Sequence, residues 1–73
     1  MKEKVLALLE EEFADIDFSQ DALVDDGILD SLTIVSMITT LSLEFGITIP
    51  YDEVIPENFN SVDAITELVE KLS

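Results

Sequence analysis

Asp30-Ser31-Leu32-Thr33-Ile34-Val35-Ser36-Met37-Ile38-Thr39-Thr40-Leu41-Ser42-Leu43-Glu44-Phe45-Gly46 is the stretch on which the fold turns. Ile34, Met37, Ile38, Leu41 and Phe45 recur at intervals of three and four, the spacing that gathers side chains on one face of an α-helix. Asp30 or Ser31 can cap the start, and Gly46 can take the left-handed conformation that commonly ends a helix. The pattern predicts a helix from about Ser31 to Phe45. With those five apolar positions turned to a core, Leu32, Ser36, Thr39 and Leu43 share the outer side. That side is neutral, because no Asp, Glu, Lys or Arg occurs from Thr33 to Leu43.

Upstream, Val5, Leu6, Leu9 and Phe13 form a second helical stripe, with Leu8 beside it and acids between, predicting a first helix over Lys2 to Asp15. Periodicity breaks from Ile16 to Asp30, where Asp-rich sequence carries apolar anchors at Phe18, Leu23, Val24, Ile28 and Leu29. A long ordered loop is expected there. Downstream, Ile47-Thr48-Ile49 favours extended backbone but runs into Pro50, so it is expected as a connector and not a sheet strand. Pro56 suits the first position of a short helical turn through Glu57, Asn58 and Phe59. Asn60 or Ser61, with Asp63 in the following turn, then opens a last helix whose stripe is Val62, Ile65, Leu68, Val69 and Leu72. The expected fold class is all-α: one domain over residues 1–73, a small four-helix bundle of three longer helices and one short, with a long loop between the first two.

Composition narrows the function. Seventeen Asp and Glu stand against three Lys and Arg, a net charge of −14 in 73 residues. The cations Lys2, Lys4 and Lys71 lie at the ends, leaving the middle purely acidic. Phosphate contacts need Lys and Arg, so neither nucleic acid nor an anionic membrane is expected as a partner; basic protein surfaces are. The absence of cysteine excludes disulfides, thiolate metal sites and a resident thiol nucleophile. With no histidine, a serine triad has no base. Paired carboxylates are plentiful, but a hydrolytic pair needs two environments within one pocket, for which so small a chain has little room. Asp25, Asp26, Gly27 and Asp30 crowd together, yet setting Gly27 at the sixth position of an EF-hand puts Ala22, Val24 and Thr33 at ligand positions one, three and twelve. No metal site and no enzyme activity are expected. The apolar run Val5 to Leu9 ends at Glu10-Glu11-Glu12, so no export or membrane insertion is expected; a cytoplasmic monomer is.

Ser31 is the one hydroxyl whose setting is distinctive. A serine between a loop and a helix is ordinarily an N-cap. Here it lies in Gly27-Ile28-Leu29-Asp30-Ser31-Leu32, followed by Glu44-Phe45-Gly46-Ile47 with Ile49-Pro50, and then by Glu57-Asn58-Phe59-Asn60-Ser61-Val62-Asp63-Ala64-Ile65. With these blocks in order along nearly its whole length, the chain resembles the acyl and peptidyl carrier protein family. The resemblance implies that a phosphopantetheinyl transferase moves 4′-phosphopantetheine from coenzyme A onto the Ser31 oxygen, with Asp30 flanking the site and Leu32 packing beside it. The thiol that ends this arm would supply a thioester-forming sulfur to a chain without cysteine. The positive end of the second helix favours a phosphate at that position.

The same resemblance implies two further kinds of partner, a ligase that loads an acyl or aminoacyl group and enzymes that use it. Many fatty-acid carriers line the second helix with acids. The neutral helix and the Leu29-Asp30-Ser31 start are nearer to stand-alone D-alanyl or other aminoacyl carriers. Partners are expected to dock on Leu32, Ser36, Thr39 and Leu43, while Asp25 and Asp26 set the encounter rate. The competing expectation is an unmodified acidic interaction module, an inhibitor or nucleic-acid mimic, that binds a basic surface through its carboxylates.

Overall fold

In a computed structural model that describes Met1–Ser73, four α-helices and one 3₁₀ turn surround a single apolar core, with no strand. Helix α1 (Lys2–Glu12) buries Val5 and Leu9 completely and Leu6 and Leu8 in part, and Phe13 just past its end is half-buried against the same core. The helix stops three residues short of the expected Asp15. Glu10, Glu11 and Glu12 bring three carboxylates to the negative end of the helix dipole, where acids oppose further growth. Phe13 accordingly leaves the helical region at φ −131°, although its N–H still reaches the Leu9 carbonyl.

Helix α2 (Ser31–Phe45) has the expected bounds, and Gly46 ends it at φ +63° while its N–H closes onto the Ser42 carbonyl. A side chain there would meet no neighbour, so the glycine serves the backbone conformation and not a tight fit. Of the five residues expected to face the core, Met37 and Leu41 are buried, while Ile34, Ile38 and Phe45 are half-buried against it. Helix α2 thus lies at the margin of the core and keeps much of its surface in water.

After Gly46 the chain extends, burying Ile47 and Ile49 by alternation, as a connector would. Tyr51–Glu53 then forms a 3₁₀ turn that periodicity does not reveal, since three residues are too few to repeat. Helix α3 (Pro56–Phe59) begins at its proline and buries Phe59. Helix α4 (Val62–Leu72) is capped by the Ser61 hydroxyl, which accepts from the Ala64 N–H at 3.1 Å. Asp63 makes no cap; it pairs with Lys2 at 2.8 Å, joining α4 to α1. Helix α4 is the centre of the packing. Val62, Ile65, Thr66, Leu68 and Val69 are all buried on it, and it lies closest to α1 and α3.

The loop between α1 and α2 is ordered by burial of Phe18, Leu23 and Leu29. Ile28, expected as a further anchor, is exposed: the backbone turns through Gly27 at φ +73° and only Leu29 returns to the core. Asn60 fastens this loop to the α3–α4 junction. Its carbonyl accepts from the Leu23 N–H at 2.9 Å, and its Oδ1 accepts from the N–H groups of Val24 and Asp25 at 2.9 and 3.1 Å. Its Nδ2 donates to the Asp25 carboxylate at 3.2 Å. Four hydrogen bonds from one residue hold the segment that delivers Asp30 and Ser31 to α2.

Candidate functional site

Asp30, not Ser31, caps α2. Its backbone is extended at φ −92° and ψ 177°, and its carboxylate accepts from the Thr33 N–H at 2.8 Å. That N–H, and after it the Thr33 hydroxyl, holds the Asp30 carboxyl below the usual carboxylate range, so the cap is ionised at neutral pH. Ser31 is then the first helical residue. Its side chain is exposed and its hydroxyl has no hydrogen-bond partner within the protein. A helix start normally uses its hydroxyl to satisfy its own amides; here the neighbouring carboxylate does so and leaves the serine oxygen free.

Ser31 sits on the rim of a hollow of about 280 Å³ between the first turn of α2 and the α3 region. Val24, Ile34, Val35, Val54, Ile55 and Phe59 line most of it, and no charged side chain does. The hydroxyl therefore has an ionised carboxylate on one side and an apolar trough on the other. No histidine exists to deprotonate it. As an unassisted nucleophile it is weak, so any reaction at this oxygen needs a base brought by another protein. As an attachment point it is well suited, being exposed at the positive end of a helix of 15 residues.

Leu32 follows Ser31 but does not line the trough. It is 79% exposed, because one residue past Ser31 the helix has already turned about 100° away from the trough. It joins Ser36, Thr39 and Leu43 on the outer side of α2, where all four are exposed and Leu43 is 81% so. The Thr39 hydroxyl donates back to the Val35 carbonyl at 3.2 Å, so the exposed Ser36 hydroxyl is the unbonded side-chain polar group of that stripe. Sequence reasoning missed Val35, which is 60% exposed and lies on the trough beside Ser31. Its position four residues after Ser31 was the available signal. Ile55 and Val54 were not findable in this way, since they reach the site only through the docking of α3.

Asp25 and Asp26 are both exposed but are not equivalent. Asp25 is held by Asn60, whereas Asp26 offers only its N–H, to the Ala22 carbonyl at 2.7 Å. Together with Asp30 they do not converge into a cluster able to hold a metal ion. No helix is long and apolar enough to cross a membrane.

No family model matches the chain. Individual relatives do. A D-alanyl carrier protein of Lactobacillus delbrueckii subsp. bulgaricus is 39% identical over 59 residues, 77% of this chain and 74% of that one. A D-alanyl carrier protein of Streptococcus suis is 34% identical over 74 residues, 99% of this chain and 94% of that one. Aminoacyl carrier protein 1 of Bradyrhizobium diazoefficiens is 42% identical over 50 residues, 68% of this chain and 54% of that one. An all-helical domain that frees one serine at a helix start, aligned from end to end with a D-alanyl carrier, is a member of the carrier protein family.

Proposed function

We propose that this carrier holds an aminoacyl group as a thioester on a 4′-phosphopantetheine arm attached to Ser31, and passes it between enzymes in the cytoplasm. The chain catalyses nothing itself. The observation that carries the proposal is the division of labour at the start of α2: Asp30 supplies the cap, and Ser31 keeps an exposed, unbonded hydroxyl beside an uncharged trough. Attachment forms a bond from the Ser31 oxygen to the phosphorus that bears the pantetheine arm and breaks that phosphorus's bond to the second phosphate of coenzyme A. Adenosine 3′,5′-bisphosphate leaves, and the hydroxyl proton passes to a base of the transferase. The residues fit the group. The helix dipole at Ser31 favours the phosphodiester charge, Asp30 is held away by its bond to Thr33, and the apolar trough can seat the uncharged arm.

An aminoacyl cargo is favoured by the relatives that carry that word or D-alanyl in their names and by the hollow itself, which is small for a long acyl chain. The transferase and the loading ligase would approach over Leu32, Ser36 and Thr39, with Leu43 at the far end of the stripe and Asp25 and Asp26 steering the encounter. Incubation with coenzyme A, magnesium and a broad-specificity transferase tests the attachment by intact mass. One phosphopantetheine is expected on the wild type and none on Ser31→Ala, with equal helical signal in both. Modification of the alanine variant would refute the site, and no uptake by wild type with several transferases would favour the unmodified interaction module. Leu32→Glu should lower the kcat/KM of loading by roughly 10- to 100-fold, about 1 to 3 kcal/mol, if the stripe is packed against the ligase.

A further inference from the structure

A larger hollow lies elsewhere, between α1 and the far end of α2. It encloses about 570 Å³. Leu43 is twelve residues beyond Ser31, which places this groove about 18 Å along the helix from the attachment site. Leu8 and Phe45, both half-buried, form its floor, and the 81% exposed Leu43 stands at its edge. Glu11 and Glu12 of α1 and Glu44 of α2 rim it on both sides. None of these three carboxylates accepts a hydrogen bond or ion pair from the protein; most of its other acids are equally free, and these three are set apart by flanking an apolar floor.

We infer that this groove is a second docking site, separate from the Ser31 end, for a basic amphipathic segment of a partner protein. Its apolar floor asks for apolar side chains, and its unpaired rim asks for cations. The chain cannot supply them from a second copy of itself. Of its three lysines, Lys2 is paired with Asp63 and Lys71 with Glu53, and Lys4 already lines the groove. Two copies at −14 each would also repel, as would an anionic lipid surface or a nucleic acid. A segment with leucines on one face and lysines or arginines flanking them satisfies both features. Such a tether would hold a partner about 18 Å from Ser31, sharing only Leu43 with the stripe over which the loading enzymes approach, and it does not depend on Ser31 being modified.

The test is an NMR titration of the full, isotope-labelled chain with a helical peptide of about 14 residues, close to the length of α2, built from leucine, lysine and alanine with the leucines on one face. A scrambled peptide of the same composition is the control for bulk charge. The amides of Leu8, Thr40, Leu43 and Phe45 should shift most. Leu43→Ser should weaken binding about tenfold or more with an unchanged salt dependence, as expected for loss of an apolar anchor. The double variant Glu11→Gln, Glu44→Gln should weaken it about fivefold and flatten the salt dependence. Ser31→Ala should bind as wild type does. All the altered side chains are exposed, so circular dichroism should report an intact fold. Equal binding of the scrambled peptide, shifts centred on the Asp25–Ser31 segment, or affinities untouched by Leu43→Ser would overturn the proposal.

Discussion

Asp30 and Ser31 split two tasks that a single residue at a helix start usually combines. The carboxylate satisfies the amide of Thr33, and the hydroxyl stays open to solvent. The pH dependence of stability follows from the first task. Because the folded Asp30 carboxyl titrates below its unfolded value, the stability it adds is complete above about pH 5, begins to fall near the unfolded value and is lost as pH falls through the depressed folded value. Asp17 adds a contribution of the same sign, its carboxylate held down first by the Ser19 hydroxyl and then by Gln20. Asp30→Asn keeps an acceptor for Thr33 but loses the charge. Its melting temperature should lie below that of the wild type at pH 7, and the gap should narrow as pH falls below the ordinary carboxylate range and the cap is protonated. Thermal melts across that range decide it; a gap of constant size would assign the effect to something other than ionisation. Thr66 is the opposite case, a hydroxyl buried on α4 with no hydrogen-bond partner. Thr66→Val should stabilise the fold by about 1 kcal/mol in urea unfolding, since it removes an unsatisfied polar atom and keeps the shape.

Among the elements, the loop between α1 and α2 is the one whose order is most at risk. It has no regular backbone ladder, and Asn60 supplies four of the bonds that hold it. Asn60→Ala should cost about 1 to 3 kcal/mol, because it strips the amides of Val24 and Asp25 of their shared acceptor. Hydrogen exchange at those two amides should accelerate more than exchange in α4, which marks local opening and not a uniform loss of stability. A uniform acceleration would mean that the loop and the bundle unfold as one unit. The same contact separates the two acids before Gly27. Asp25→Asn disturbs the clamp as well as the charge, so Asp26→Asn is the cleaner variant for measuring electrostatic steering of a partner.

For the whole molecule, charge dominates. Two of three cations are used in the surface pairs Lys2–Asp63 and Lys71–Glu53, and most of the seventeen acids have no counter-charge. The longest dimension is 27 Å. At about 0.01 M salt the screening length is about 30 Å, so every carboxylate repels every other; at 0.15 M it falls to about 8 Å and most of that repulsion disappears. The melting temperature should therefore rise with added sodium chloride over this range. It should also rise on mild acidification, until pH nears the depressed values of Asp17 and Asp30 and their caps and turns begin to fail. A melting temperature flat from about 0.01 to 0.5 M salt would show that the acids are compensated by bound cations.

What the sequence alone determined is local. The bounds of α2, the proline start of α3 and the left-handed Gly46 all depend on residues within one or two turns of each other, so spacing and residue type were enough; for the cap of α4 they left Asn60 and Ser61, and the structure chose Ser61. The carrier resemblance was legible for the same reason, since it resides in short contiguous blocks. Tertiary structure decided the rest. Whether Asp30 or Ser31 caps α2 depends on how the loop enters it, and that path is set where Asn60 holds Val24 and Asp25, 36 and 35 residues before it in the chain. Burial of Leu29 and exposure of Ile28 follow from the same path. The trough beside Ser31 exists only because α3 is docked by Phe59, and the groove at Leu43 only because α1 and α2 meet there. Hydrophobic periodicity specifies which face of a helix is buried, but hollows and exposed apolar stripes arise where two faces fail to cover each other, a property of the pair that neither segment encodes by itself.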